Sequence, residues 1–295
     1  MTQRFDIRII GERINPGFKS TKALFDNSDI AGIQALAVRQ AEAGAAYLNV
    51  NIGARALTDV AFMAEVIRAI QAVTTVPLSF DFPSKKVQEI CLSCYDSAKS
   101  AGRLPIVNSI TEQRWDLMEL ARDFKFRVIV MASERMEDGV AKANKTAAEI
   151  HATARRAALR LQHDHGMSLD DIFIDMSISA IIADTEGLNR NTLDAVGRIG
   201  ADADLKGVHM MGGLSNIGQQ LPAKAVDGSD LKLGLESAFL TLAVPRGFDT
   251  VLGTPWRGYA PLPDDHYVLK AYRNFLEQSG SNALRAVRKF YSARA

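Results

Sequence analysis

The chain has 295 residues, 47% hydrophobic and 23% charged, with a formal net charge of +1. This is the profile of a soluble globular protein with a large core. It offers no basic field for nucleic acid and no apolar run of membrane-spanning length. Two cysteines in such a chain give no disulfide framework and fit a reducing cytoplasm.

The opening MTQRFDIRIIGE carries charges inside its apolar stretch, so it reads as a first strand and not a signal peptide. That strand covers residues 7–10, ends at Gly11, and is followed by Glu12, Arg13 and Asn15. Ser28 or Asp29 caps a helix with Ile33, Leu36, Ala37 and Ala41 on one face, and Gly44 ends it. Residues 47–50 form the second strand, which runs into Asn51. Thr58 caps the next helix, where Met63, Val66, Ile67 and Ile70 follow helical spacing. A third strand over 77–80 ends in Asp81, a helix follows over 84–100, and a strand over 104–107 runs into Asn108.

The alternation continues with a helix over 113–123 and a strand over 126–131. Thr146 and Glu149 form a capping box for a long helix reaching about residue 163. A strand over 171–174 ends in Asp175, a helix covers 191–199, and a strand over 208–211 runs into Gly212, Gly213 and the amides Asn216, Gln219 and Gln220. The two glycines suit a close backbone approach to a ligand, or a bend where side chains could not fit. A helix over 231–243, a short strand over 250–252 and a helix from about 264 complete the chain.

Eight strand-then-helix units imply a parallel sheet, and this number in this length predicts an α/β fold, a closed (β/α)8 TIM barrel, as one domain over residues 1–295. An open doubly wound sheet is the alternative, but no G-x-G-x-x-G follows the first strand. In such a barrel the C-terminal strand ends gather the site. Here they carry Glu12, Arg13, Asn51, Asp81, Asn108, Asp175, Asn216 and Gln219. A single strand-terminal Asp is often only a helix cap, and Arg13 also suits a structural pair with a barrel-end carboxylate. Taken together, carboxylates and primary amides match the donor and acceptor edges of a flat heterocycle such as a pterin. No pair has metal-ligand spacing. Cys91 and Cys94 lack a second ligand pair and read as helix packing, while His163 and His165 read as surface residues.

The segments IIGERINPG, LNVNIG, PLSFDFPS, LPIVNSIT, DIFIDMS and GGLSNIGQQ resemble, in order, those of the pterin-binding barrel methyltransferases. That family includes the methyltetrahydrofolate–corrinoid protein methyltransferases and the folate domain of cobalamin-dependent methionine synthase. The resemblance implies a dihydropteroate-synthase-like barrel that moves a methyl group between N5 of 5-methyltetrahydrofolate and the cobalamin of a separate corrinoid protein. It implies that Asp175 accepts from the 2-amino and N3 groups, that Asn108 faces N1 and N8, and that Asp81 lies near N8 and N5. Asn216 would bond N5, Gln219 would sit at the mouth, Asn51 would line the pocket, and Lys224 would meet the glutamate tail. Asn216, with Asp81 relaying a proton, would carry the chemistry. A homodimer is also implied, in a demethylation route or a split methionine synthase. Asn49 stands where relatives often have Asp. Dihydropteroate synthase and a non-catalytic folate-binding module are the alternatives.

Overall fold

The structure, a computed structural model, describes residues 4–292; Met1, Thr2 and Gln3 of the opening segment lie outside the described residues. Eight strands form the barrel: β1 (Arg8–Ile14), β2 (Tyr47–Val50), β3 (Leu78–Asp81), β4 (Ile106–Ile110), β5 (Arg127–Met131), β6 (Ile172–Asp175), β7 (His209–Gly213) and β8 (Phe248–Gly253). Each pairs in parallel with its neighbours, and β8 pairs with β1 to close the ring. The expected (β/α)8 barrel is therefore the observed fold. Helices such as Ile30–Glu42, Val60–Val73, Ala147–His165 and Leu231–Ala243 connect the strands.

Several boundaries differ from the sequence reading for identifiable reasons. Asp59, not Thr58, caps the Val60–Val73 helix, accepting from the Phe62 amide at 3.0 Å. Thr58 instead ends the short helix Arg55–Thr58. The helix expected over 84–100 stops at Cys94, and a 3-10 turn, Ser97–Ser100, follows under an Asp96 cap. Glu112–Arg122 is a 3-10 segment kinked at Arg114. A helix at Lys19–Asp26 and an antiparallel hairpin of Glu134–Glu137 with Val140–Ala143 carried no recognised signal. The Thr146–Glu149 capping box is present, with Thr146 Oγ1 accepting from the Glu149 amide.

Strand side chains alternate between faces, and this places the site. Ile10, Tyr47, Ile106, Ile129, Phe173 and Met211 form an apolar cluster of their own, with Leu252 packed against it. It is distinct from the larger core between strands and helices. These residues plug the barrel interior. Two residues before the plug, on the same face, stand Arg8, Arg127 and His209. Two residues after it stand Glu12, Asn49, Asn108, Met131, Asp175, Gly213 and Thr254. The barrel thus has a charged N-terminal layer, an apolar waist, and a polar C-terminal layer.

Candidate functional site

The polar layer brings Asp81 and Asn108 to the adjoining ends of β3 and β4, with Asp175 beyond β5, at the end of β6. Asp81 is level with Asn108 across β3 and β4, and Asp175 is level with Met131 across β5 and β6. Asn49, only 1% exposed, lies at the centre of a small network. Its Nδ2 donates to Asp81 Oδ2 at 3.1 Å, and its Oδ1 accepts from Ser79 Oγ and Asn108 Nδ2, both at 3.2 Å. Asn51 Nδ2 donates to the same Asp81 oxygen at 3.2 Å, while Asn51 Oδ1 accepts from the Gly53 amide at 2.7 Å. Asn51 and Asp81 also line a cleft of about 430 Å³ whose walls are apolar: Ala54, Leu57, Phe82 and Val87.

Asp175 Oδ1 accepts from the Ser177 amide at 2.7 Å. Burial pushes its carboxyl up to about 6; the Ser177 amide opposes this and the charge of Asp81 adds to it. Ser177 itself adopts a left-handed backbone, φ 50°.

On β7 the two glycines stand where side chains would not fit. A Cβ on Gly213 would stand 2.9 Å from Asn216 Nδ2, and one on Gly212 would stand 2.8 Å from the Ile178 side chain. They make room for the protein's own side chains, and the Asn216 amide folds back over Gly213. Asn216 Oδ1 accepts from Gln219 Nε2 at 2.7 Å, with Gln219 exposed at the mouth. Lys224 is exposed, in a backbone bridge with Asp230.

Arg13 departs from the ion pair considered above. Its guanidinium lies 3.8 Å from the centre of the Phe18 ring, and it makes no ion pair among the described residues. The side chain follows Glu12 on the strand, so it faces away from the barrel interior.

Glu12 belongs to a group the sequence did not reveal. It is 9% exposed, accepting from Ser215 Oγ at 3.0 Å and Thr254 Oγ1 at 2.8 Å. Burial raises its carboxyl above the usual range, against both hydroxyls and nearby Arg13 and Arg257. Glu236 is close enough to feel its charge. Burial pushes Glu236 up to about 7, although Arg257 Nε donates to it at 2.9 Å. Glu12 therefore ties the ends of β1, β7 and β8 together beside Asn216. Its partners are 203 and 242 residues away, so no local pattern could show the link.

A mouth lined by carboxylates and amides above an apolar waist, at the C-terminal end of a closed parallel barrel, makes this an α/β barrel with its polar side chains where such barrels carry their sites. Residues 13–252 match the family described as pterin binding enzyme, and the chain belongs to it. It is 25% identical over 252 residues to the methylcorrinoid:tetrahydrofolate methyltransferase of Eubacterium limosum, covering 84% of each chain. Among solved structures it resembles dihydropteroate synthase of Xanthomonas albilineans with 4-aminobenzoic acid (TM-score 0.60, 19% identity, 88% of this chain and 94% of that one). It also resembles the dihydropteroate synthase of Thermus thermophilus (TM-score 0.57, 17% identity, 88% and 96%). At such identities these two structures speak to the fold alone.

Proposed function

We propose that this enzyme transfers a methyl group between N5 of 5-methyltetrahydrofolate and the cobalt of a corrinoid carried by a separate protein. The observation that carries the proposal is the neutral amide pair Asn216–Gln219, held over Gly213 at the end of β7. The N5 atom is a poor leaving group unless the electron pair that the breaking C–N bond leaves on it is stabilised, and an amide N–H aimed at N5 stabilises that pair without giving up its own proton. The methyltransferase relative, whose name couples a methylcorrinoid to tetrahydrofolate, supports the same reading.

In this reading Asp175 takes the 2-amino and N3 donors of the pterin, and Asp81 and Asn108 take the opposite edge. Gln219 fixes the Asn216 amide so that its Nδ2 faces N5. Asn51 acts behind the rim, since its two amide ends are engaged by Asp81 and Gly53. Asp81, held by two amides, passes a proton towards N5 through water. Lys224 meets the glutamate tail as a point charge. The apolar waist and the pterin itself keep bulk water from the reacting face. The proposal includes one barrel domain, a homodimer, and a cytoplasmic setting in keeping with the free Cys91 and Cys94.

The test is methyl transfer from 5-methyltetrahydrofolate, followed with and without a corrinoid protein reduced to the Co(I) state. Transfer only when the corrinoid is present is expected. Turnover without any corrinoid would move the chain to another branch of pterin chemistry.

A further inference from the structure

We infer that the outer wall of the barrel carries a phosphate site. Arg13 and Arg39, gathered at the Trp256 ring with the Gln40 amide beside them, hold the phosphate of a monoester whose organic part lies in the adjoining groove. The site makes no use of the mouth, so it stands or falls apart from the folate reading.

Along β1 the side chains alternate, so Ile9, Gly11 and Arg13 face out while Ile10 and Glu12 face in. The helix Ile30–Glu42 packs on that outer face, and Gly11 lets it come close: a Cβ there would stand 2.5 Å from Gln40 Oε1 and 3.3 Å from Pro255 Cγ. Gln40 is 0% exposed, and its Oε1 accepts from the Arg13 backbone amide at 3.0 Å. A backbone N–H can only donate, so the Gln40 oxygen must take that side and the NH2 group the other. That NH2 is buried without an acceptor among the described residues, and so is the Nε of Arg13. A buried donor left unpaired costs about 1–3 kcal/mol. Two of them in one contact point to an acceptor that comes from outside the chain.

The charges lead the same way. The Arg13 guanidinium lies 3.8 Å from the centre of the Phe18 ring and 5.9 Å from that of Trp256, and the Arg39 guanidinium lies 4.0 Å from the Trp256 ring. Neither makes an ion pair among the described residues. Burial pulls Arg13 below its ordinary range; Glu12, inside the barrel, opposes this and the charge of Arg39 adds to it. Two like charges brought to one ring, with no carboxylate at hand, are relieved by an anion. A guanidinium offers its N–H groups as a fork that fits phosphate or carboxylate oxygens. Two of them match the roughly −1.5 to −2 charge of a phosphate monoester near pH 7 better than the single charge of a carboxylate. A groove of about 500 Å³ runs along the outer face of β1, lined by Phe5, Ile7, Ile9, Pro255, Trp256 and Tyr259. That is the size of a small-molecule site. Trp256 belongs to both the groove and the arginine pair, so the organic part of a bound ester has apolar surface to lie on.

The experiment is calorimetric titration of the full chain with inorganic phosphate, phenyl phosphate and acetate at low ionic strength. Phosphate should bind at a single site, phenyl phosphate about tenfold tighter through the apolar groove, and acetate about tenfold weaker than phosphate. In Arg39→Gln, where the side chain is exposed, phosphate affinity should fall about tenfold or more with the melting temperature unchanged. Gln40→Glu should abolish phosphate binding and raise the melting temperature, because it sets a carboxylate where the anion would lie. No binding of phosphate to the parent chain, or equal binding to the parent and to Arg39→Gln, would overturn the site. Acetate binding as tightly as phosphate would overturn the choice of a doubly charged ligand. Equal affinity for phosphate and phenyl phosphate would overturn the part given to the groove.

Discussion

The two polar ends of the barrel use similar residues and reach opposite results. At the N-terminal end Arg8 meets Asp249 at 2.8 Å, Arg127 meets Asp170 and Asp171 at 3.1 and 3.0 Å, and His209 lies between Asp249 and Asp170. At the C-terminal end Asp81, Asp175 and Glu12 make no ion pair among the described residues; their partners are amides, hydroxyls and backbone N–H groups. A matched set of charges has little left to offer a ligand. Carboxylates held by neutral donors keep free lone pairs and a field that an incoming N–H can satisfy. The difference separates the end that fixes the structure from the end where binding is expected.

Substitutions should therefore act differently at the two ends. The largest effect is expected from Asp175→Asn, which replaces a charged acceptor with an amide presenting a wrong-way donor. Tetrahydrofolate binding should weaken by roughly 1.5–3 kcal/mol, read by calorimetry; an unchanged Kd would remove Asp175 from the site. Next is Asn216→Ala, where the rate of methyl transfer at saturating folate should fall about tenfold or more while affinity changes less. Single-turnover kinetics matching the parent would make Asn216 a spacer.

A change of pH should sharpen the contrast without any mutation. The Asp175 carboxyl is raised to about 6, so without ligand it adds stability below the usual carboxylate range, and that contribution is lost as pH rises through 6. Folate needs the ionised form, so its affinity should be level above pH 6 and fall towards about tenfold per pH unit well below it. Affinity independent of pH from 5 to 8 would contradict this assignment. At the other end, His209→Ala should lower stability by about 1 kcal/mol and leave folate affinity unchanged. A thermal melt paired with a folate titration checks both halves. The smallest effect is expected from Cys91→Ser with Cys94→Ser: modest destabilisation from lost packing around buried Cys91, with activity and metal content unchanged.

Most of the barrel was legible because its strands are short apolar runs that stop at a polar residue, as in DIFIDMS and PLSFDFPS. The strand-end residues Asp81, Asn108 and Asp175 could be picked out for the same reason: each is the polar residue at which such a run stops or into which it leads. What stayed hidden depends on distant partners. Asn49 looked like a missing charge, yet its contacts with Ser79, Asp81 and Asn108 give an amide there a purpose an Asp could not serve, since Asp has no hydrogen to give Asp81 at neutral pH. Thr58 and Asp59 are both good caps in sequence, and only the backbone decides between them. The pairing of Arg13 was equally open, because an arginine beside a carboxylate in the chain still points to the other side of its strand.

The Glu12 tie has a consequence for how the protein is made. Its carboxylate lies on the first strand, while its two hydroxyl partners lie on the turn after β7 and just past β8. During synthesis Asn216 leaves the ribosome before Thr254, and β1 has no closing neighbour until β8 arrives. Contacts spanning more than 200 residues form late because the loop they close must first be ordered. The turn that carries Asn216 should thus reach its working geometry only when the ring closes, so that a growing chain acquires most of its fold before it can handle its substrate.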